Sequence, residues 1–237
     1  MKTLLTTAAA LALAAAFTVP ASAQVSGIGV AEPAIVIAGS QALTGAYAQI
    51  TTTFAAQRTQ LQQLEEQRIA LLKKLDTNND GQLSQAEQQA AQSPTNPTGK
   101  QLQALEQQIN TVQGPINLAA AYAVSQIAQQ LGASVQQVVS QGNVQMILSS
   151  GGVLYASEAA NLNQKIITAL NARVPQVSVT PPAGWQPDQA TVQLFQDVQQ
   201  VRLAAARQMA QQQAATAGQQ PGAKAPAPAG KAPVKGR

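Results

Sequence analysis

Two stretches of this chain place an apolar residue every three or four positions, and that spacing limits what the chain can build. From Gln41 the stripe runs Leu43, Tyr47, Ile50, Phe54, Leu61, Leu64, Leu71 and Leu75, with only Gln57 and Arg68 polar in register. It resumes at Leu102, Leu105, Ile109, Val112, Ile116, Ala119 and Ala123. Alternating steps of three and four make an a/d seam on an α-helix. The spacing predicts one helix over 41–75, about 50 Å long at about 1.5 Å per residue, and a second over 100–131. Neither can bury its seam alone, so the two are expected to fold back as an antiparallel hairpin. Gly114-Pro115 should kink the second helix without ending its pattern. Gly132 stands where a helix-ending C′ glycine is expected.

The connection between the two helices carries the one motif with chemistry. Asp76 to Glu87 (DTNNDGQLSQAE) fits D-x-[DN]-x-[DN]-G-x5-E at every specified position. Calcium wants six to eight hard oxygen ligands. Asp76, Asn78 and Asp80 would give side-chain oxygens, Gln82 its backbone carbonyl, Ser84 a direct or water-carried contact, and Glu87 both carboxylate oxygens. Gly81 permits the sharp turn, and Leu72, Leu75 and Leu83 are apolar anchors. The alternative is an Asn/Asp/Gly turn that needs no metal. Three carboxylates and no paired second loop predict a weak, structural calcium site, with a Kd on the order of 0.1–1 mM. Ser84 to Gln92 reads as a short helix and 93–99 (SPTNPTG) as a breaker.

The ends differ from this middle. Lys2, the uncharged Ala/Leu run to Val19 and the small-x-small site at Ala21-Ser22-Ala23 read as a signal peptide over 1–23, cleaved after Ala23. The run is too short to be a membrane anchor, so an exported, soluble protein is expected. Val25 to Ala31 reads as a short strand, and Pro33 fits the first turn of a short helix, although the AIVIA that follows suits a strand equally well. Residues 134–141 suggest one or two further helical turns, 144–157 two short strands around Ser-Ser-Gly-Gly, and 161–171 a helix capped by Asn161 with Ile166, Ile167 and Leu170 on one face. Residues 176–187 read as a Pro-rich linker holding Trp185, either a docking residue or a folded-back anchor. Residues 188–216 read as a Gln/Ala-rich helix and 217–237 as a disordered basic tail.

Composition excludes several functions. With no Cys and no His, the chain has no disulfide, thiolate nucleophile, zinc-thiolate site or imidazole base. Acids are sparse and cluster only in the loop, so no enzyme is expected. The formal charge of +4 comes from the ends. Of fourteen Lys and Arg, Lys2, Lys224, Lys231, Lys235 and Arg237 lie there, leaving nine against ten Asp and Glu. No basic stripe lies along a helix, so no nucleic-acid partner is expected. The tail is either a solubilising segment or a weak contact to the envelope. Aromatic residues are 3% of the chain, too few for a large core. Tyr47, Phe54 and Tyr122 are expected to pack within the hairpin.

The order strand, long out-and-back hairpin, strand pair and short helix resembles the OmpH/Skp family of periplasmic chaperones. The stretch ILSSGGVLYASEAANLNQKIITALN (147–171) is similar to that family's closing segment, and GIGVAEPAIVIAGSQA to its opening strand and helix. The resemblance covers about 25–175, so that 24–175 is taken as the chaperone domain. It implies a mainly α fold with a small β body, in which the short strands of three chains pair and three hairpins project as tentacles. It also implies a homotrimer that encloses unfolded outer-membrane proteins without ATP and has no active site. Short strands with open edges and a slender core also favour pairing with other chains on physical grounds. The Gln-rich, nearly neutral arms depart from the charged arms of the family and put electrostatic client capture in doubt. The alternative is a structural envelope coiled coil that tethers partners and protects no client.

Overall fold

The structure is a computed structural model that describes residues 27–217; the signal-peptide and basic-tail readings lie outside these residues, the latter except for Ala217, the last residue of the final helix. It is mainly helical with a two-stranded sheet. The order is β1 (Ile28–Val30), α1 (Pro33–Ala38), α2 (Gln41–Thr53), α3 (Ala55–Leu75), α4 (Gln85–Gln92), α5 (Pro97–Gly142), β2 (Met146–Leu148), α6 (Asn163–Arg173) and α7 (Gln189–Ala217). No helix among the described residues is long and apolar enough to cross a membrane.

Most seam positions are sheltered. Leu43, Ile50, Leu64 and Leu75 are buried on α2 and α3, as are Leu105, Ala119 and Ala123 on α5, and near the body Ala42, Ala46, Ala120 and Ala121 beside the seam are buried too. The two legs run in opposite directions. Ile50 shares a buried cluster with Ala119, Ala120 and Ala123, and further along Arg68 reaches Glu106 at 3.7 Å.

The outgoing helix is not continuous. It breaks at Phe54 (φ −106°, ψ 27°), which ends α2 and precedes α3. The cause is local. Thr51 and Thr52 donate their hydroxyls to the carbonyls of Tyr47 and Ala48, four residues back. Such bonds compete with the helical ladder and bend helices, and Thr53 adds a third β-branched residue.

The returning helix is longer than 100–131. Asn96 caps its start by accepting the Gly99 N–H at 3.0 Å, Pro97 sits in its first turn, and it continues unbroken through Pro115 and Gly132 to Gly142. Gly132 is therefore an interior residue and not a C′ glycine, and 134–141 belong to this helix. Burial explains the continuation. Ile127, Ser134 and Val138 are buried and Leu131 is half-buried on one face, the same stripe carried on past the glycine. The helix ends at Asn143 instead, in the left-handed region at φ 49°, which Asn tolerates.

The body is an α-helical cluster around Ile37, Leu43, Val124, Ile127, Ile166, Leu170 and Val198, all fully buried. Here α1 is a helix, which decides the open reading of AIVIA, and its Val36 and Ile37 face inward. Asn171 accepts the Gln41 N–H and Asn163 the Glu32 N–H, each at 2.8 Å, so α6 holds the starts of α1 and α2. The expected Asn161 cap is not formed: α6 begins at Asn163 after Leu162, and Asn161, one residue further back, accepts the Asn163 N–H at 3.0 Å. Gly29 admits Leu162 beside β1; a Cβ there would collide with the Leu162 side chain.

The strands are fewer than expected. β1 pairs with β2 within the chain, in parallel, with Ile28, Gly29 and Val30 opposite Met146, Ile147 and Leu148. Only one strand forms in 144–157. Ser150–Gly152 is a single 3-10 turn, and 153–157 lies off the sheet with Leu154 fully exposed and Tyr155 nearly so.

Residues 174–188 are not a free linker either. Val174 is 8% and Val179 2% exposed, and the segment straps α7 onto α1 and α5.

Candidate functional site

The 76–87 loop joins α3 to α4. Asp76 ends α3, and Ser84 caps α4 with a full capping box: its hydroxyl accepts the Glu87 N–H, and Glu87 returns a bond to the Ser84 N–H. The turn is carried by Asn79 (φ 57°) and Gly81 (φ 83°), both left-handed, where Asn and Gly are tolerated.

The oxygens expected to hold calcium lie within this one loop. Asp76 Oδ2 accepts the Gly81 N–H at 2.8 Å. Asn78 Oδ1 accepts the Asp80 N–H at 3.0 Å, and Asp80 Oδ1 accepts the Gln82 N–H at 2.8 Å. Asp80 Oδ2 accepts from the Asn78 amide at 2.9 Å. Asp76 Oδ1 is buried and has no hydrogen-bond partner. A buried carboxylate oxygen with no partner is costly, and a cation is one remedy.

Glu87 behaves differently from a free chelator. Its Oε1 accepts from the Thr77 N–H and hydroxyl, each at 2.6 Å, and from the Asn78 N–H at 3.2 Å. Its Oε2 accepts from the Ser84 N–H at 2.9 Å and the Ser84 hydroxyl at 2.8 Å. The Thr77 hydroxyl and then the Ser84 bonds hold its pKa at about 2, against an ordinary 4.5. The carboxylate thus already closes the loop from its far side, taking five donors onto two oxygens. Among the described residues no group of three or more carboxylates is arranged to hold a metal. Asp76, Asn78, Asp80, the Gln82 carbonyl, Ser84 and Glu87 are the residues that could hold a calcium ion; the bonds on Glu87, and those on Asn78 Oδ1 and both Asp80 oxygens, would have to be shared or released.

A second locus was not legible in the sequence. Five of the chain's seven aromatic residues, Tyr47, Phe54, Tyr122, Trp185 and Phe195, gather where the strap and α7 cross α2 and α5. Trp185 packs edge-on against Tyr122, with ring centroids 4.9 Å apart, which makes it a folded-back anchor. Arg202 lies 3.3 Å from the Tyr47 ring centroid, and the Gln199 amide donates to the Tyr47 hydroxyl at 2.7 Å. Burial raises the Tyr47 pKa against the lowering pull of Arg202 and Gln199. Phe54 and Phe195 join the cluster of Ala46, Ile50, Ala119, Ala120, Ala123 and Val179. The strap itself is held by Gln126, whose amide donates to the Ser178 carbonyl at 2.8 Å and accepts the Ser178 N–H at 3.2 Å. No motif marks Gln126; it is one glutamine among many.

A third feature is a cleft of about 940 Å³ beside the sheet, bordered by Ile28, Val30, Val138, Leu148, Val153 and Tyr155.

Comparison with known proteins follows the same order of elements. Residues 27–170, from β1 into α6, match the family profile described as outer membrane protein (OmpH-like). A crystal structure of an OmpH-like outer membrane chaperone from Caulobacter crescentus aligns over 64% of this chain and 88% of its own, with 18% identity and a TM-score of 0.41. No curated protein matches significantly in sequence. The strap and α7 lie beyond the matched residues.

Proposed function

Because the chain belongs to the OmpH-like outer membrane protein family, we propose that it is a periplasmic holdase that keeps unfolded outer-membrane proteins from aggregating, without ATP. The observation that carries this is the match over 27–170, which takes in both legs of the helical pair and the strands at its root. The physical support is the shape of the packing. Beyond Phe54 the outgoing leg buries only Leu64 and Leu75, half-shelters Leu61, Leu71 and Leu72, and turns mainly glutamine and charged side chains to water, with Ile69 and a few alanines among them. Such a leg has a seam for its partner helix and a polar outer face, an arm and not a pocket. Three such arms on a homotrimer would enclose a client. The apolar cleft beside the sheet and the exposed Leu154 and Tyr155 supply a surface for the other chains. Client contact on a nearly neutral arm rests on apolar and amide groups.

The test is light scattering of a denatured outer-membrane β-barrel diluted with and without the protein, ATP absent, beside a mass measurement in solution. Suppressed aggregation by a trimer is expected. Equal scattering in both samples overturns the holdase reading in favour of a structural envelope protein.

A weak calcium site at Asp76, Asn78, Asp80, Gln82, Ser84 and Glu87 is part of this reading, favoured by the unpartnered Asp76 Oδ1. The ion would stiffen the turn between the legs. Since it must compete with the bonds on Glu87, its Kd is expected on the order of 0.1–1 mM. Calorimetric titration with calcium, alongside proteolysis at 76–84, decides it; no heat and no protection at about 5 mM calcium, well above that Kd, would remove it.

A further inference from the structure

The strap gives the α2/α5 face an occupant whose chemistry can be read directly. Residues 174–188 cross α5 without regular secondary structure, turning at Pro182–Trp185, with Val177 and Val179 turned to the helices and Trp185 against Tyr122. One side chain holds the strap's backbone. Gln126 bonds both the N–H and the C=O of Ser178, the pair of bonds a neighbouring strand would make. The Gln126 amide is itself steadied by a bond to the Tyr122 carbonyl at 3.1 Å. Recognition therefore falls on peptide groups and on apolar or aromatic bulk, which any unfolded chain carries.

The face under the strap is also where the arm's aromatic surface lies. Tyr47, Phe54 and Tyr122 belong to α2, the Phe54 junction and α5; Trp185 and Phe195 come down on them from the strap and α7. No salt bridge among the described residues fastens the strap or α7 to the body. The fastening is hydrogen bonds, apolar packing and Arg202 on Tyr47.

We propose that the α2/α5 face around Gln126, Tyr122 and Tyr47 is a binding groove for an extended, aromatic-containing segment of an unfolded polypeptide, and that the strap and α7 occupy it as a displaceable internal substitute. This rests on the holdase reading and names the surface on which a client is held. A client segment that replaces Ser178 on the Gln126 amide and Trp185 on Tyr122 meets the same donors, acceptors and rings. The strap then sets affinity by the fraction of molecules in which it is lifted.

Trp185 is the only tryptophan in the sequence, so its emission reports the strap in the unaltered full chain. Titrating a tryptophan-free, urea-denatured β-barrel polypeptide should move Trp185 emission to longer wavelength as the ring leaves Tyr122. Ser178→Pro deletes the N–H that Gln126 accepts and leaves the groove intact. It should raise client affinity about two- to tenfold, the worth of one hydrogen bond. Arg202→Ala should raise it about two- to thirtyfold. A strap that merely braces the fold would lower stability in both variants without tightening client binding. Client binding at saturation with unmoved Trp185 emission, or unchanged or weaker affinity in folded Ser178→Pro and Arg202→Ala chains, overturns the groove and leaves the holdase standing. If neither wild type nor variants bind client, the holdase reading fails and the groove with it.

Discussion

Gly132→Ala separates two accounts of α5 by sign. In the structure Gly132 is interior to a helix of 46 residues, is exposed, and has nothing within 4 Å of the place a Cβ would occupy. Alanine there costs no packing and gains the helix propensity glycine lacks, about 1 kcal/mol. Were Gly132 a C′ residue with a left-handed backbone, the same substitution would cost about 1–2 kcal/mol. The two accounts therefore differ by about 2–3 kcal/mol in opposite directions. Thermal unfolding of wild type and variant at equal protein concentration reads this as a rise of about 2–4 °C for a chain of this size. A urea midpoint that rises with unchanged slope would confirm that stability moved and compactness did not. A fall in either midpoint refutes the continuous helix, and with it the placing of Ser134 and Val138 in the core.

Three other outcomes are expected. Glu87 sits at about 2 against an ordinary 4.5, a depressed folded-state value. Its contribution is thus full above the unfolded value and is lost as pH falls from there through about 2; proteolysis at 76–84 should stay slow at and above about pH 5.5 and quicken as pH falls from about 4.5 toward 2. Glu87→Ala removes the acceptor for the Thr77, Asn78 and Ser84 N–H groups. It should expose the loop to protease several-fold faster at neutral pH, while the unfolding of the body, read by Trp185, is unchanged. Ile127→Ala empties a fully buried core position and should cost about 2–5 kcal/mol by urea unfolding.

Much of the helical pair was legible because its seam is a strict periodic signal. Gln57 and Arg68, polar in register, still come out half-sheltered, since the helix has no other face to offer its partner. The break at Phe54 was not legible. It depends on threonine hydroxyls choosing backbone carbonyls, a competition that composition alone does not decide. The end of α5 was misplaced because a glycine after a leucine looks like a stop; the continuing step from Ile127 to Leu131, Ser134 and Val138 was the better guide. The loop was legible as a twelve-residue pattern, but Ser84 to Glu87 is equally a capping-box spacing. The structure gives both Glu87 oxygens to that box and to the Thr77–Asn78 turn. The strap was missed because its proline-rich composition reads as a spacer, and the alternating Val177 and Val179 are too few to announce a partner 52 residues away.

The two legs also differ mechanically. α5 is a single helix of about 69 Å at about 1.5 Å per residue, rooted in the body by Ile127 and Val138, with Pro115 inside it where one bond of the backbone ladder is missing. Its companion has a joint at Phe54. Bending of the pair would concentrate where each ladder is already interrupted, so the far turn would swing about Phe54 on one leg and Pro115 on the other.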